Sequence, residues 1–287
     1  MKRMILVVFV VGIAAAAGVV RSYTRTGHSI SEIPRAFSED VKSQGDVRDE
    51  IRKSFVLSPG ASVEVAGING GVKIETSDTS TAELYIERSG RSPEALQRRK
   101  ITIENTPTSL TIHGEKGDAG FLSRLFGSSP SERVTLKLPR QVSLNVAGIN
   151  GAVTVGAIDG AVEVHGINGK VEVAEATGSA EFDGINGNIS VAMKQVGKEG
   201  INLNGINGNI ELRLAEGVEV ELEAHGMNGE VSSDLPNFVL ERAKHGSYSA
   251  HVGSGGNSIS AHGINGNIRL SRATTASTRT DGAASKS

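Results

Sequence analysis

Gly148-Ile149-Asn150-Gly151, Gly166-Ile167-Asn168-Gly169, Gly184-Ile185-Asn186-Gly187 and Gly205-Ile206-Asn207-Gly208 follow one another along the middle of the chain. The same peptide stands at Gly67–Gly70 and Gly263–Gly266, with the variant Gly226-Met227-Asn228-Gly229. From Asn150 onward the asparagines are spaced by 18, 18, 21 and 21 residues. A period of this size marks stacked repeats, in which each unit buries its apolar side only against its neighbours. Between the motifs, Val171-Glu172-Val173, Ile189-Ser190-Val191 and Ile210-Glu211-Leu212 carry the two-residue period of strands with one face buried.

Asn-Gly is also the strongest short signal for a two-residue hairpin, so a row of hairpins competes with a coil. The residue before the asparagine separates the two. In a hairpin centred on Asn168-Gly169, Ile167 would project on the same side as His165 and Glu163, into water. The position is Ile68, Ile149, Ile167, Ile185, Ile206, Met227 and Ile264, always large and apolar. A corner that turns this side chain inward, its glycines adopting conformations closed to other residues, satisfies the pattern. The expected fold is all-β, a β-solenoid of stacked 18–21-residue rungs over residues 141–272, preceded by a β-rich part over residues 54–140. Its inward set runs from Leu144 and Val146 through Val171, Val173, Phe182, Ile189 and Val191 to Ile268 and Leu270, each resting on its counterpart one rung away. Rungs lie about 4.8 Å apart, so Asn150, Asn168, Asn186, Asn207, Asn228 and Asn265 are expected to form a structural ladder of turn amides.

Only 3% of the 287 residues are aromatic, too few for a core built on large rings but enough for rungs filled by Val, Ile and Leu. Thirty Lys and Arg against 32 Asp and Glu leave a net charge of −2, which gives no field to attract nucleic acid. Met1-Lys2-Arg3, the uncharged run from Met4 to Val20 and Ala15-Ala16-Ala17 read as an export signal, residues 1–20, that is cleaved or kept as a membrane anchor. Residues 21–53 read as a polar linker and residues 273–287, rich in Ser, Thr, Ala and Gly, as a disordered tail. The chain has no cysteine, hence no disulfide framework.

Val134-x-Leu136-x-Leu138-Pro139, the repeated Gly-Ile-Asn-Gly followed by alternating Val and Ile, and the closing Gly266-Asn267-Ile268-Arg269-Leu270 resemble a bacterial adhesin-like family, a β-strand-repeat domain. The resemblance covers about Phe55 to Arg272. It implies a right-handed β-helix-like fold in exported or membrane-tethered proteins that contact a surface or envelope partner, and it brings no catalytic motif and no cofactor.

Aligning the rungs on the motif sets one outward column just before the first glycine: Ala66, Ala147, His165, Asp183, Asn204, His225, His262. Glu163 and Glu181 stand two residues earlier. His165, Asp183, His225 and His262 offer nitrogen and carboxylate ligands for a metal, although solvated strand positions are commonly polar and the spacing forms no tight motif. A polysaccharide-cleaving site is the enzymatic rival, since it needs paired carboxylates beside a groove. The stretch Ser232–Gly256, with Asp234, Glu241, Arg242, Lys244, His245, Tyr248 and His251, is the main room for it and reads as an irregular rung with a loop. Phe121, Leu122, Leu125 and Phe126 form an apolar cluster that either plugs an open end of the coil or contacts a membrane or partner. Gly253-Ser254-Gly255-Gly256 precedes no helix, so it is a turn and no phosphate loop. A non-enzymatic envelope protein is the expected function; a membrane-tethered sensory module is the alternative.

Overall fold

Along the four-residue strands Val162–His165 and Ala180–Asp183, and along Ile210–Leu214, buried residues alternate with more exposed ones, as the pleat requires when one face meets a core. The structure, a computed structural model, describes residues 47–115, 130–242 and 246–273. Its first part holds β1 (Val47–Val56), β2 (Ala61–Ala66), β3 (Val72–Ser77), β4 (Thr81–Gly90), helix α1 (Pro93–Arg98), β5 (Lys100–Thr106), β6 (Ser109–Glu115) and β7 (Ser131–Pro139). The regular centre follows with β8 (Val142–Ala147), β9 (Val153–Ile158), β10 (Val162–His165), β11 (Val171–Ala176), β12 (Ala180–Asp183), β13 (Ile189–Met193), β14 (Ile201–Asn204) and β15 (Ile210–Leu214). The last part holds β16 (Val220–His225), β17 (Val231–Ser233), β18 (Phe238–Arg242), β19 (Tyr248–Val252), β20 (Asn257–His262) and β21 (Ile268–Arg272).

The chain alternates between two sheets. The ten-stranded sheet runs β1-β4-β7-β3-β9-β11-β13-β15-β21-β17, and the eleven-stranded sheet runs β18-β19-β16-β20-β14-β12-β10-β8-β2-β6-β5. The central strands pair in parallel, Val162 beside Leu144 and Ala180, and Ile189 beside Val171 and Ile210. The architecture is a repeat, solenoid-like stack, and its core lies between the sheets. Leu144, Val146, Val171, Val173, Phe182, Ile189, Val191, Ile268 and Leu270 are all buried there, as the alternation predicts. The core residues, from Leu57 to Leu270, all fall within one compact unit that holds every described residue.

Each Gly-Ile-Asn-Gly makes the corner between a strand of one sheet and a strand of the other. Ile68, Ile149, Ile167, Ile185, Ile206 and Ile264 are buried, with Met227, and the hairpin alternative falls with them. The two glycines serve different needs. Gly184 has φ +63°, in the left-handed region that strains other residues. A Cβ on Gly187 would overlap the carbonyl of Gly169 in the neighbouring layer.

The asparagines form the expected ladder, with Asn69 added at one end. Asn150 Nδ2 donates to Asn69 Oδ1 at 2.9 Å, Asn168 to Asn150 at 3.0 Å, Asn186 to Asn168 at 3.2 Å and Asn207 to Asn186 at 3.1 Å. The Asn69 amide donates to the Pro130 carbonyl at 2.7 Å. A carbonyl can only accept, so this end fixes the direction of every amide above it. Asn186→Ala, which removes one donor and one acceptor from an exposed row, is expected to cost about 1 to 2 kcal/mol in a urea titration. A loss as large as that from a charge in the core would contradict this ranking.

The order of the layers departs from the order of the chain. Asn207 is bonded by Asn265, 58 residues away, at 3.0 Å, and Asn265 accepts from Asn228 at 2.9 Å. The last repeat, β20 and β21, therefore lies between β14/β15 and β16/β17. At the other end β2 and β3 lie between β6/β7 and β8/β9. The first and last repeats of the sequence are both interior layers.

Antiparallel strands close the end beyond β6 and β7: β4 pairs with β7 and β1 with β4, while β5 pairs with β6. Beside them α1 buries Ala95 and Leu96; Ser92 caps it through the Ala95 N–H and Pro93 opens it. β1 begins at Val47, inside the stretch read as a linker to residue 53. Asp49 and Lys53 share its inward parity with Ile51 and Phe55 and break the apolar alternation that would have revealed it. The export segment 1–20, the tail beyond residue 273 and the cluster Phe121, Leu122, Leu125 and Phe126 lie outside the described residues. Among the described residues no helix is long and apolar enough to cross a membrane.

Candidate functional site

The valines of β10 point into the core, so Glu163 and His165 point out; Ala180 and Phe182 do the same for Glu181 and Asp183. The register sets His165 beside Asp183 and Glu163 beside Glu181, as the sequence column predicts. Past Asp183 come Asn204, His262 and then His225, so the two histidines exchange places relative to the sequence column. The swap is the direct result of the intercalated last repeat. The rings of His225 and His262 stack at 5.4 Å with 22° between their planes. His225 Nδ1 lies 3.3 Å from Ser247 Oγ, and His262 Nε2 lies 3.2 Å from Ser260 Oγ. His165 Nε2 is 3.9 Å from Glu163 Oε2, which accepts a bond from Asn145 at 3.0 Å.

Asn204 thus separates His165/Asp183 from His262/His225. Among the described residues no three His, Asp or Glu side chains converge to hold a metal. What these residues share is a face. His113, His165, His225, His251 and His262 all project from the outer side of the eleven-stranded sheet, beside Glu64, Glu163, Glu181, Asp183, Glu221 and Glu223. The nine neighbouring strands from β6 to β19 contain no Lys or Arg. The outer side of the ten-stranded sheet mixes its charges, with Lys73–Glu75 at 2.7 Å and Lys137–Glu83 at 3.2 Å. The Lys73 ammonium holds the Glu75 carboxyl below the usual carboxylate range.

A shallow groove of about 660 Å³ crosses β1, β4 and β7, lined by residues that include Arg52, Glu83, Tyr85, Thr135 and Lys137. The Arg52 guanidinium lies 4.7 Å from the centre of the Tyr85 ring. Arg52 and then Tyr85 lower the Glu50 carboxyl by hydrogen bonding, and Glu50 in turn raises the Tyr85 phenol. Sequence reading missed this groove because β1 was hidden in the linker.

Residues 232–256 are no rung. They contain the antiparallel hairpin β18–β19, which pairs with β16 and extends the eleven-stranded sheet by two strands. Tyr248 is buried and donates its hydroxyl to the Gly229 carbonyl at 2.7 Å, while Asp234 pairs with Arg269 at 3.0 Å. His251 stands on the outer face; Lys244 and His245, with the side chains of Glu241 and Arg242, lie outside the described residues. Among the described residues, Asp234, Tyr248 and His251 are not gathered into one site.

Two networks escaped the sequence. Asn188, Asn209 and Asn267 each accept a backbone N–H from the adjoining layer, at 2.9 to 3.0 Å, and the recurring Gly-Asn-Ile was their signal. Arg99 and Glu132, both buried, form an ion pair at 2.6 Å. Glu132 also accepts the Asn69 N–H at 3.1 Å, and Arg99 donates to the Gly67 carbonyl. In the regular layers the asparagine N–H bonds to the neighbouring motif, as that of Asn168 does to the Ile149 carbonyl. Where β6 and β7 lack a Gly-Ile-Asn-Gly corner, the Glu132 carboxylate takes the place of that acceptor, and Arg99 holds it there.

With this geometry in place, the chain can be set beside known proteins. No protein-family model matches it, and no curated protein matches it in sequence. Solved structures do resemble it. One is a proposed cell adhesion protein from Clostridium sporogenes ATCC 15579, at 14% identity over 78% of this chain and 100% of that one, with a TM-score of 0.32. A proposed adhesin from Bacteroides fragilis NCTC 9343 is similar at 13% identity over 77% and 97%, with a TM-score of 0.34. A proposed lipid binding protein from Parabacteroides distasonis ATCC 8503 is similar at 11% identity over 77% and 96%, with a TM-score of 0.31.

Proposed function

We propose that this chain is a non-enzymatic, exported protein of the bacterial envelope, a right-handed β-solenoid of 18–21-residue rungs that offers an adhesin-like binding surface. The outer side of the eleven-stranded sheet is that surface. The observation that carries the reading is a face of carboxylates, amides, imidazoles and hydroxyls across nine strands free of Lys and Arg. Such a face recognises by area and by repeated spacing, and an envelope polymer or a protein array presents the same regularity. The resemblance of the motifs to adhesin-like repeats supports the same reading, and residues 1–20 would take the chain out of the cytoplasm.

Co-sedimentation of residues 46–287 with isolated cell-wall and outer-membrane fractions tests it. The protein is expected to pellet with one fraction, and the double change Glu163→Lys/Glu181→Lys to reduce binding at least fivefold. Glu172→Lys, on the other sheet, should leave binding unchanged. Binding insensitive to the first change, or absent from every fraction, would overturn the assignment.

A further inference from the structure

The edge strand of a sheet leaves a row of backbone donors and acceptors unpaired, and natural proteins blunt such edges with charge or brevity. Among the described residues the two sheets have four edges, and three of them are blunted. β1 exposes Arg48, Asp49, Glu50, Arg52 and Lys53, β5 exposes Lys100 and Glu104, and β17 has three residues. The fourth edge, β18, ends on the charged Glu241 and Arg242, but its middle carries Val239 and Leu240, which are 45% and 40% exposed. Among the described residues only Val56 is another large hydrophobic side chain so exposed.

Which groups of β18 face the open edge follows from its ladder with β19. Gly253 donates its N–H to the Asn237 carbonyl at 3.1 Å, and these residues continue the register that pairs Phe238 with Val252. In an antiparallel ladder the hydrogen-bonded pairs recur at every second residue. Val239 and Glu241 therefore bond to β19, and Phe238, Leu240 and Arg242 turn their N–H and C=O groups outward. Leu240 lies opposite the buried Ala250, so its side chain is on the core side, past β17, where the other sheet has ended.

We propose that β18 is a dimerisation edge whose occupant is β18 of a second copy, antiparallel and centred on Leu240. In that register the outward groups of Leu240 meet those of Leu240 in the second copy, and those of Phe238 meet those of Arg242. A shift of two residues loses one of the three pairs, and a shift of one sets outward groups against inward ones. The two-fold arrangement is self-complementary and closed. It covers the exposed Leu240 with its own counterpart.

Light scattering on residues 46–287 from about 5 to about 100 µM is expected to show a dimer in reversible equilibrium with monomer. Leu240→Lys should yield monomer throughout with an unchanged melting temperature, since the residue is half in water already. Val239→Lys should remain dimeric, because that residue is bonded to β19 and its side chain faces the opposite side. Amide hydrogen exchange on the parent supplies a second reading: protection of Leu240 should rise with protein concentration. A parent that is monomeric across the range, a dimer that survives Leu240→Lys, open-ended oligomers, or protection independent of concentration would each overturn the proposal.

Discussion

Ile185→Asp is expected to leave residues 46–287 unfolded at 25 °C. Ile185 is 1% exposed, and its backbone is held between layers, since Asn207 donates its N–H to the Ile185 carbonyl at 2.8 Å. The carboxylate would replace an apolar side chain in a column that continues through Ile167 and Ile206, with no cation in the stack to pair with it. Removing a buried isoleucine side chain costs about 2 to 5 kcal/mol by itself. Burying an unpaired charge, or protonating it to avoid that, adds several kcal/mol more. Together these approach the roughly 5 to 15 kcal/mol that hold a typical domain folded. Circular dichroism and thermal melting check the result, with Ile185→Val, expected to cost only about 0.5 to 1.5 kcal/mol, as the control for the site. A near-normal melt for the aspartate would mean that the corner residues are solvated.

Glu132→Ala is expected to cost about 3 to 5 kcal/mol, the range for breaking one partner of a buried ion pair. Glu132 is 1% exposed, and its loss leaves the Arg99 charge uncompensated and the Asn69 N–H without its acceptor. The double replacement Arg99→Met/Glu132→Leu separates charge from backbone satisfaction. Apolar substitution of a buried pair is often neutral. Here it would strand the Asn69 N–H and the Gly67 carbonyl, each at about 1 to 3 kcal/mol, so the double variant should remain at least about 2 kcal/mol below the parent. Recovery to parental stability in urea would show that the pair does not replace a missing corner.

The layers were legible in the sequence because burial on one face writes itself as a period of two, and a corner that must be apolar writes itself as Ile167, Ile185 and Ile206. Asn150, Asn168 and Asn186 were legible as a ladder because identical residues at equal spacing stack. The neighbours of each layer were a different matter. Periodicity records distance along the chain, and every Gly-Ile-Asn-Gly layer offers nearly the same edge to the next. Nothing in Asn207, Asn228 and Asn265 states that Asn265 belongs in the middle; the only hint was the 37 residues between the last two. The same limit misplaced His225 and His262 by one step. Arg99 and Glu132 stayed hidden for another reason, since each serves backbone groups more than 30 residues away that show no pattern of their own.

The interior position of the last repeat turns chain order into a timetable. As the polypeptide leaves a ribosome or a translocation channel, β16 and β17 emerge before the strands that will separate them from β14 and β15. The edges they meet first are those of a look-alike layer, and pairing there would be parallel and in register by the same corner chemistry. The final order can be reached only once Arg272 is free, either by delay or by release of an early pairing. The finished stack is thus a record that synthesis passed Arg272, and a copy ending before Ile268 cannot reproduce it.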